Sequence, residues 1–526
     1  MKISLKSIVL IVLNFISILF GWQYYTDLGG GLDDGRDIDL CADGGFFMTG
    51  RSNGWAHGGF YYNWYDHEAF LIKLNAMGEE EWIRHYGQNG WFIYGADTVG
   101  YYDAGWCVCA TPDSGCIIAG KTQSPNYTDP WTGFPESCPG NDNVLLVRVD
   151  KNGDTLWTRS YGGYYYDRAW WIKHVPSTNE FFLAGPTQCF GADMPSEDWE
   201  NIWIMKIDSV GNVLAETFWE DSTRDGHTDV RWGCLTPEGG CIVTGSTDLR
   251  DTSYVNDDEE PVSHRISRAV VVKVDSECNI EWSRIFDTGC SDHYSRSIAP
   301  TPGGGYIMLT YDKYPGWTWC IRLNEDGDSL WSKYIGLDPW DPETRLANFR
   351  MVVPDGVNGF YFAGSGQGWA WIIRTDAELN ELWRVPADYG SESDQFLSCV
   401  TTPDHGCCAV GQTYSVAPSA YSDIFAMRVT WTGEDYTGIG EEFSQKPDNL
   451  KLDVYPNPFN SACKINAPVG SDIDVFDING RKVYSQSTIE SSSLDWTPDR
   501  ARSSGTYLVH ATFGDQSISK RVIYLK

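Results

Sequence analysis

Residues 144–163 read VLLVRVDKNGDTLWTRSYGG, and this stretch decides the fold because diverged copies of it recur along the chain. Val144 to Val149 is an apolar, β-branched run and Asp150 to Gly153 supplies turn chemistry. A second strand then carries Trp157 and Tyr161 before Gly162 and Gly163 end it. A lone hairpin of this kind cannot bury its faces, so its repetition is what points to a stable fold.

Outward from the hairpin, a turn followed by a short buried strand precedes each copy. It occurs at Asp39–Gly50, Asp113–Gly120, Asn179–Gly185, Glu238–Gly245, Gly303–Thr310, Asn358–Gly364 and Asp404–Gly411. Each is followed by a strand with a basic residue near its end: Lys73, Arg148, Lys206, Lys273, Arg322, Arg374 and Arg428. A turn then leads to Trp82, Trp157, Trp282, Trp331 and Trp383, with Ala215 at that place in the third copy, while Cys278 and Leu379 replace the usual turn glycine. Four strands per unit at a period of roughly 45 to 70 residues predict an all-β chain whose residues 22–431 form a seven-bladed β-propeller. The seventh copy lacks its Trp-bearing strand after Val429, and the orphan fragment at Trp22 and Tyr25 supplies it. Pairing the two closes the ring and removes the open edges that invite aggregation.

This strand order places the short turns on one face of the disc and the long, variable connections on the other, where insertions mark a binding surface. At the expected channel mouth lie Asp34, Arg36, Asp103, Trp106, Asp167, Arg168, Trp170, Asp229, Arg231, Trp232, Asp292, Arg296 and Asp394. Trp64 and Trp131 represent the aromatics of the long loops. Flat rings beside polar groups suit a glycan, whose C–H face stacks and whose hydroxyls hydrogen-bond. The competing reading is structural: Asp satisfies backbone donors in turns, and long loops bury aromatics among themselves.

Fifteen cysteines suit an oxidising compartment. Cys109–Cys116 and Cys234–Cys241 share offsets about Thr111 and Thr236, and Cys399–Cys408 lies one step further out on each side of Thr402; the three pairs predict cross-hairpin disulfides, against the alternative that cysteine fills a tight core. The runs Asp150 to Asp154 and Asn324 to Asp328 suggest calcium loops, but neither reaches a glutamate at the twelfth position, so they read as tight turns and calcium is only a weak cofactor candidate. No catalytic residues are assigned: H-E-x-x-H, G-x-S-x-G and phosphate-binding glycine loops are missing from the sequence. A net charge of -33 spread along the chain excludes a nucleic-acid partner and favours a soluble monomer. Lys2 and Lys6 precede an apolar run from Ser7 to Phe20, which reads as a signal peptide over residues 1–21.

The D-G-G-aromatic strand, the D-x-x-G turn with its following Trp and the Y-G-G end resemble the repeats of secreted bacterial seven-bladed propellers, over about Trp22 to Thr430. After a linker at 432–449 the style changes. Tyr455, Pro456, Asn457, Pro458 and Phe459 are followed by Asp477 to Arg481, Gly505 to Val509 and Lys520 to Leu525. Residues 450–526 thereby resemble the C-terminal sorting domain of the type IX secretion system. That resemblance implies a small immunoglobulin-like β-sandwich, the secretion machinery as a partner, and release from or attachment to the outer surface of a Gram-negative-type bacterium. The expectation is a secreted binding or adhesion module for extracellular glycan or a surface protein. Two alternatives stand beside it: a carbohydrate-active hydrolase or lyase using channel-mouth carboxylates, and a scaffold for protein contacts.

Overall fold

The computed structural model describes residues 21–28, 31–53, 67–87, 91–94, 97–100, 102–123, 142–163, 165–190, 200–221, 227–251, 264–286, 292–312, 317–335, 346–366, 368–387, 394–414, 422–433, 452–455, 459–467, 471–477, 481–487, 493–499, 502, 504–513 and 516–526. All but Gly21 of the expected signal peptide, and all but Thr432 and Gly433 of the expected linker, lie outside these residues. The chain divides into two compact units, Met1–Thr437 and Gly438–Lys526.

The first unit is a ring of seven four-stranded antiparallel blades. Blade 1 is Asp33–Leu40, Phe46–Ser52, Glu68–Leu74 and Glu80–Tyr86, and blade 2 is Ala104–Ala110, Cys116–Thr122, Asn143–Val149 and Thr155–Tyr161. Blades 3 to 6 begin at Trp171, Thr228, His293 and Leu346. Blade 7 takes Gln395–Thr401, Cys407–Thr413 and Asp423–Val429 from the end of the ring and Trp22–Thr26 from its beginning. In this closure Trp22 sits opposite Arg428 and Thr26 opposite Ile424, so the last edge is paired by the first strand. The first strand of every blade touches the first strands on either side, and the seventh returns to the first; these seven surround a central channel.

The recurrent basic residue of each third strand pins the first turn of its own blade. Lys73 reaches Asp43 at 3.0 Å, Arg148 Asp113 at 2.6 Å, Lys206 Glu180 at 2.7 Å, Arg374 Asp355 at 3.0 Å and Arg428 Asp404 at 2.9 Å. Arg322 has no acid in its turn and donates to the Gly304 carbonyl at 2.6 Å instead. The recurrent Trp of each fourth strand packs on the second turn of the next blade. Trp157 Nε1 donates to the Ser209 carbonyl at 3.1 Å, and Trp22 Nε1 to that of Ala76 at 3.2 Å. At Gly327 the backbone is left-handed (φ 81°), and a Cβ would meet the Trp282 ring at 2.5 Å, so only glycine fits under that indole. Where the pattern breaks, both partners change: Ala215 replaces Trp in blade 3, and buried Cys278 takes the left-handed position (φ 69°) in blade 4.

The expected disulfides are a correction. All six cysteines are free thiols, and the register explains why: Cys109 is opposite Ile117 while Cys116 is opposite Ala110. Cys234 and Cys241 face Ile242 and Leu235, and Cys399 and Cys408 face Ala409 and Val400. The slip of one residue sends the two side chains of each proposed pair to opposite faces of the blade, where they serve as small apolar filler. Blade turns likewise consume their own carboxylates: Asp150 Oδ1 accepts the amides of Asn152 at 2.8 Å and Asp154 at 3.0 Å.

The second unit is a β-sandwich. One sheet has three strands, Asp453–Tyr455, Cys463–Asn466 and Ser493–Trp496. The other has four, Lys482–Gln486, Asp472–Asp477, Gly505–Phe513 and Gln516–Tyr524. Phe459, Trp496, Tyr507 and Tyr524 share its core. The Asp477 carboxylate closes its turn on the Arg481 amide at 3.0 Å and side chain at 3.2 Å.

Candidate functional site

Six of the seven inner strands slip register at one equivalent place. The slips fall between Gly35 and Asp37, Gly105 and Cys107, Val230 and Trp232, Ser295 and Ser297, Phe349 and Met351, and Phe396 and Ser398. The skipped residues are Arg36, Trp106, Arg231, Arg296, Arg350 and Leu397. In blade 3, Trp170 holds the same place, five residues before its turn, and donates its amide to the Ala184 carbonyl at 3.0 Å. A bulge re-aims a side chain out of the alternating pattern. Repeated around the ring near the start of each inner strand, it lines the mouth on the long-loop side.

One side of the ring is a continuous stack. Arg36 lies 4.9 Å over Trp106, Trp106 and Trp170 stack at 4.9 Å with an interplanar angle of 21°, and Arg231 lies 5.1 Å over Trp170. Arg296, Arg350 and Leu397 hold the remaining places. Burial, then the charges of neighbouring arginines, pushes Arg296 down to about 9 and Arg350 down to about 10. Asp34 accepts from Arg36 and Arg51, both at 2.7 Å, and Asp229 pairs with Arg231 at 2.6 Å. Among the described residues no carboxylate pairs with Arg296 or Arg350; Arg296 rests on the Tyr311 ring at 4.9 Å and Arg350 reaches Gln395 at 3.5 Å. Trp232, one step further into the channel, packs against apolar clusters of blades 2–3, 3–4 and 6–7. It therefore reaches across the axis and fills the channel beneath the mouth.

Several residues expected at the mouth stand elsewhere. Asp103 and Asp167 are fully buried, and their carboxylates accept the hydroxyls of Thr122 and Thr187 at 2.5 Å, tying the entry of the inner strand to the strand beside it. Asp394 and Thr413 repeat this latch. Asp292 accepts the Ser267 amide at 3.3 Å and makes no ion pair with Arg296. Arg168 turns to buried Asp142 at 2.7 Å, which Lys121 also reaches at 3.1 Å. Trp64 and Trp131 lie outside the described residues, as do most of the loop aromatics. Trp106, Trp170, Arg231 and Arg296 do meet in the ring, together with Arg350, which the sequence reading passed over. Counting back five residues from each first turn would have found it.

Burial raises the folded-state pKa of the Asp33 and Asp167 carboxyls to about 6 against about 3.9 in an unfolded chain. The folded state then binds more protons than the unfolded one between those values, so stability falls as pH rises through 6 and is regained on acidification. The melting temperature is expected to be higher at pH 5 than at pH 7, and Asp167→Asn to flatten that rise; calorimetry at the two pH values checks it.

Residues 453–525 match the family described as the secretion system C-terminal sorting domain. No curated protein matches the chain significantly. Among solved structures the chain is similar to Sqt1 from Chaetomium thermophilum (13% identity, 75% of this chain and 83% of that one, TM-score 0.37). It is also similar to a protein of unknown function from Dyadobacter fermentans (11%, 78% and 97%, TM-score 0.37). A third is regucalcin, a calcium-binding protein from Agrobacterium tumefaciens (12%, 78% and 94%, TM-score 0.34). Likeness at this level bears on none of the functional questions. The chain is thus a seven-bladed propeller protein with a type IX sorting domain. That domain engages the secretion machinery and marks the protein for secretion or for the outer surface of a Gram-negative-type bacterium.

Proposed function

We propose that the propeller is a non-catalytic binding or adhesion module whose channel mouth takes an extracellular glycan. The observation that carries this reading is the polarity of the ring. Among the described residues Arg36 Nε, Trp106 Nε1, Trp170 Nε1, Arg296 Nε and Arg350 Nε are buried donors with no partner, against one unpartnered carboxylate oxygen at the mouth, Asp229 Oδ1. Unmade buried hydrogen bonds are costly, about 1–3 kcal/mol each, and a ligand rich in oxygen acceptors relieves them. Both outer faces of the Trp106–Trp170 stack are covered by guanidiniums. The contact this favours is therefore through N–H edges more than through a sugar laid on an indole. The carboxylates that a hydrolase would need are engaged: Asp103 and Asp167 by threonines, Asp34 by two arginines.

The reading is tested with the full-length secreted protein on a glycan array, followed by fluorescence titration of any hit. Trp170→Ala removes the stack and one donor and is expected to weaken binding by about 30-fold, the effect of losing a residue worth about 2 kcal/mol. An array without hits would refute the proposal, and release of reducing ends would replace it with a hydrolase.

A further inference from the structure

We infer that Arg296 and Arg350, flanked by Arg36 and Arg231, form a receptor for an oxyanion carried by the glycan: a carboxylate, sulfate or phosphate group. This rests on the channel-mouth reading above and specifies its ligand. Four of the seven bulged positions carry guanidiniums, two carry indoles and one carries Leu397. Arg36 and Arg231 each have a carboxylate at 2.7 and 2.6 Å. Arg296 and Arg350 have none among the described residues, although the Arg350 and Arg231 charges act on Arg296 and those of Arg36 and Arg231 on Arg350.

Like charges brought together out of water destabilise a fold, and a buried guanidinium without a counter-charge is among the costlier arrangements a chain can hold. Among the described residues these two groups meet a tyrosine ring and a glutamine amide. An oxyanion supplies what is missing. The planar fork of each guanidinium accommodates two oxygens, and the Nε of both side chains is an unused donor. The setting sharpens the effect. On a chain of net charge -33 the mouth gathers cations, and Trp232 packs across the channel beneath it. A low-dielectric wall behind a charged site strengthens the field felt by a ligand entering from the loop face.

The test is isothermal titration of the full-length protein at low salt with three probes: trigalacturonate, galactotriose and inorganic sulfate. Trigalacturonate is expected to bind at least tenfold more tightly than galactotriose. The double variant R296Q/R350Q is expected to lose at least tenfold more affinity for trigalacturonate than for galactotriose, and R350K to lose less. Loss of two mutually repelling charges should leave the melting temperature unchanged or higher, which separates lost binding from lost folding. Equal affinity for the acidic and neutral sugars, or a double variant within twofold of the parent, would overturn the inference and leave the glycan reading standing. Sulfate bound at the mouth and lost in the double variant, with neither sugar bound, would uphold the oxyanion receptor and remove the glycan. No binding of any probe would overturn the receptor itself.

Discussion

Trp22→Ala is expected to lower the unfolding free energy by about 3–5 kcal/mol, the loss typical of truncating a buried Trp or Phe. Trp22 is 7% exposed, meets the Phe46 ring edge-on at 5.4 Å, and donates to the Ala76 carbonyl. Its packing therefore joins the first strand of the chain to blade 1, while its backbone completes blade 7. The hydrogen-bonded completion of blade 7 runs through this one short strand. Deleting residues 22–26 goes further: it leaves Asp423–Val429 as an open edge of apolar, β-branched character, and such edges pair with other chains. Guanidinium titration should show the lower midpoint in Trp22→Ala, and light scattering should show association in the deletion. A deletion that stays monomeric with an unchanged midpoint would mean that closure does not depend on this strand.

Asp355→Ala in blade 6 is expected to cost a similar amount, about 3–5 kcal/mol, because it strands a buried guanidinium. Asp355 Oδ1 accepts the amides of Val357, Asn358 and Gly359 at 2.8–2.9 Å, and Oδ2 accepts from Arg374 at 3.0 Å. One carboxylate thus closes the turn and neutralises the third strand. Replacing both partners, Asp355→Ala with Arg374→Met, should recover part of the loss, since the uncompensated charge goes with the arginine. Asp113→Ala in blade 2, which removes the acid of that blade's third-strand arginine, should cost less, because Arg148 keeps the carbonyls of Cys116 and Val149 as acceptors. The Asp113 side chain is 60% exposed, so water already shares its charge. Equilibrium unfolding of the three variants in guanidinium checks the ranking.

Much of the architecture was legible because each blade repeats residues with one structural job. The third-strand cation, the fourth-strand Trp and the turn glycine recur at fixed offsets, and their contacts give the physical reason. The orphan fragment at Trp22 was readable as a closing strand for the same reason. The exceptions were readable only as divergence: Ala215 and Cys278 look like two unrelated substitutions in the sequence, yet they lie in one apolar cluster where blades 3 and 4 meet.

The site was less legible, for two reasons. A β-bulge leaves no mark in composition, since the skipped residue is Arg, Trp or Leu, and without it the alternation puts Arg36 and Arg296 on the wrong face. An Asp that latches a Thr hydroxyl inside a blade also looks the same in sequence as one that faces a ligand. Asp103 and Asp167 carried the expected signature and do the first job, while Arg350 carried none and stands in the ring. The cysteine pairs failed through the same kind of error, a register displaced by one residue.

The most direct measurement is a crystal structure of the full-length protein soaked with trigalacturonate. The account predicts the sugar at the channel mouth, with a carboxylate within hydrogen-bond distance of both Arg296 and Arg350 and oxygens on the Trp106 and Trp170 N–H groups. A sugar seated only among the outer loops, with the arginine ring empty, would contradict it.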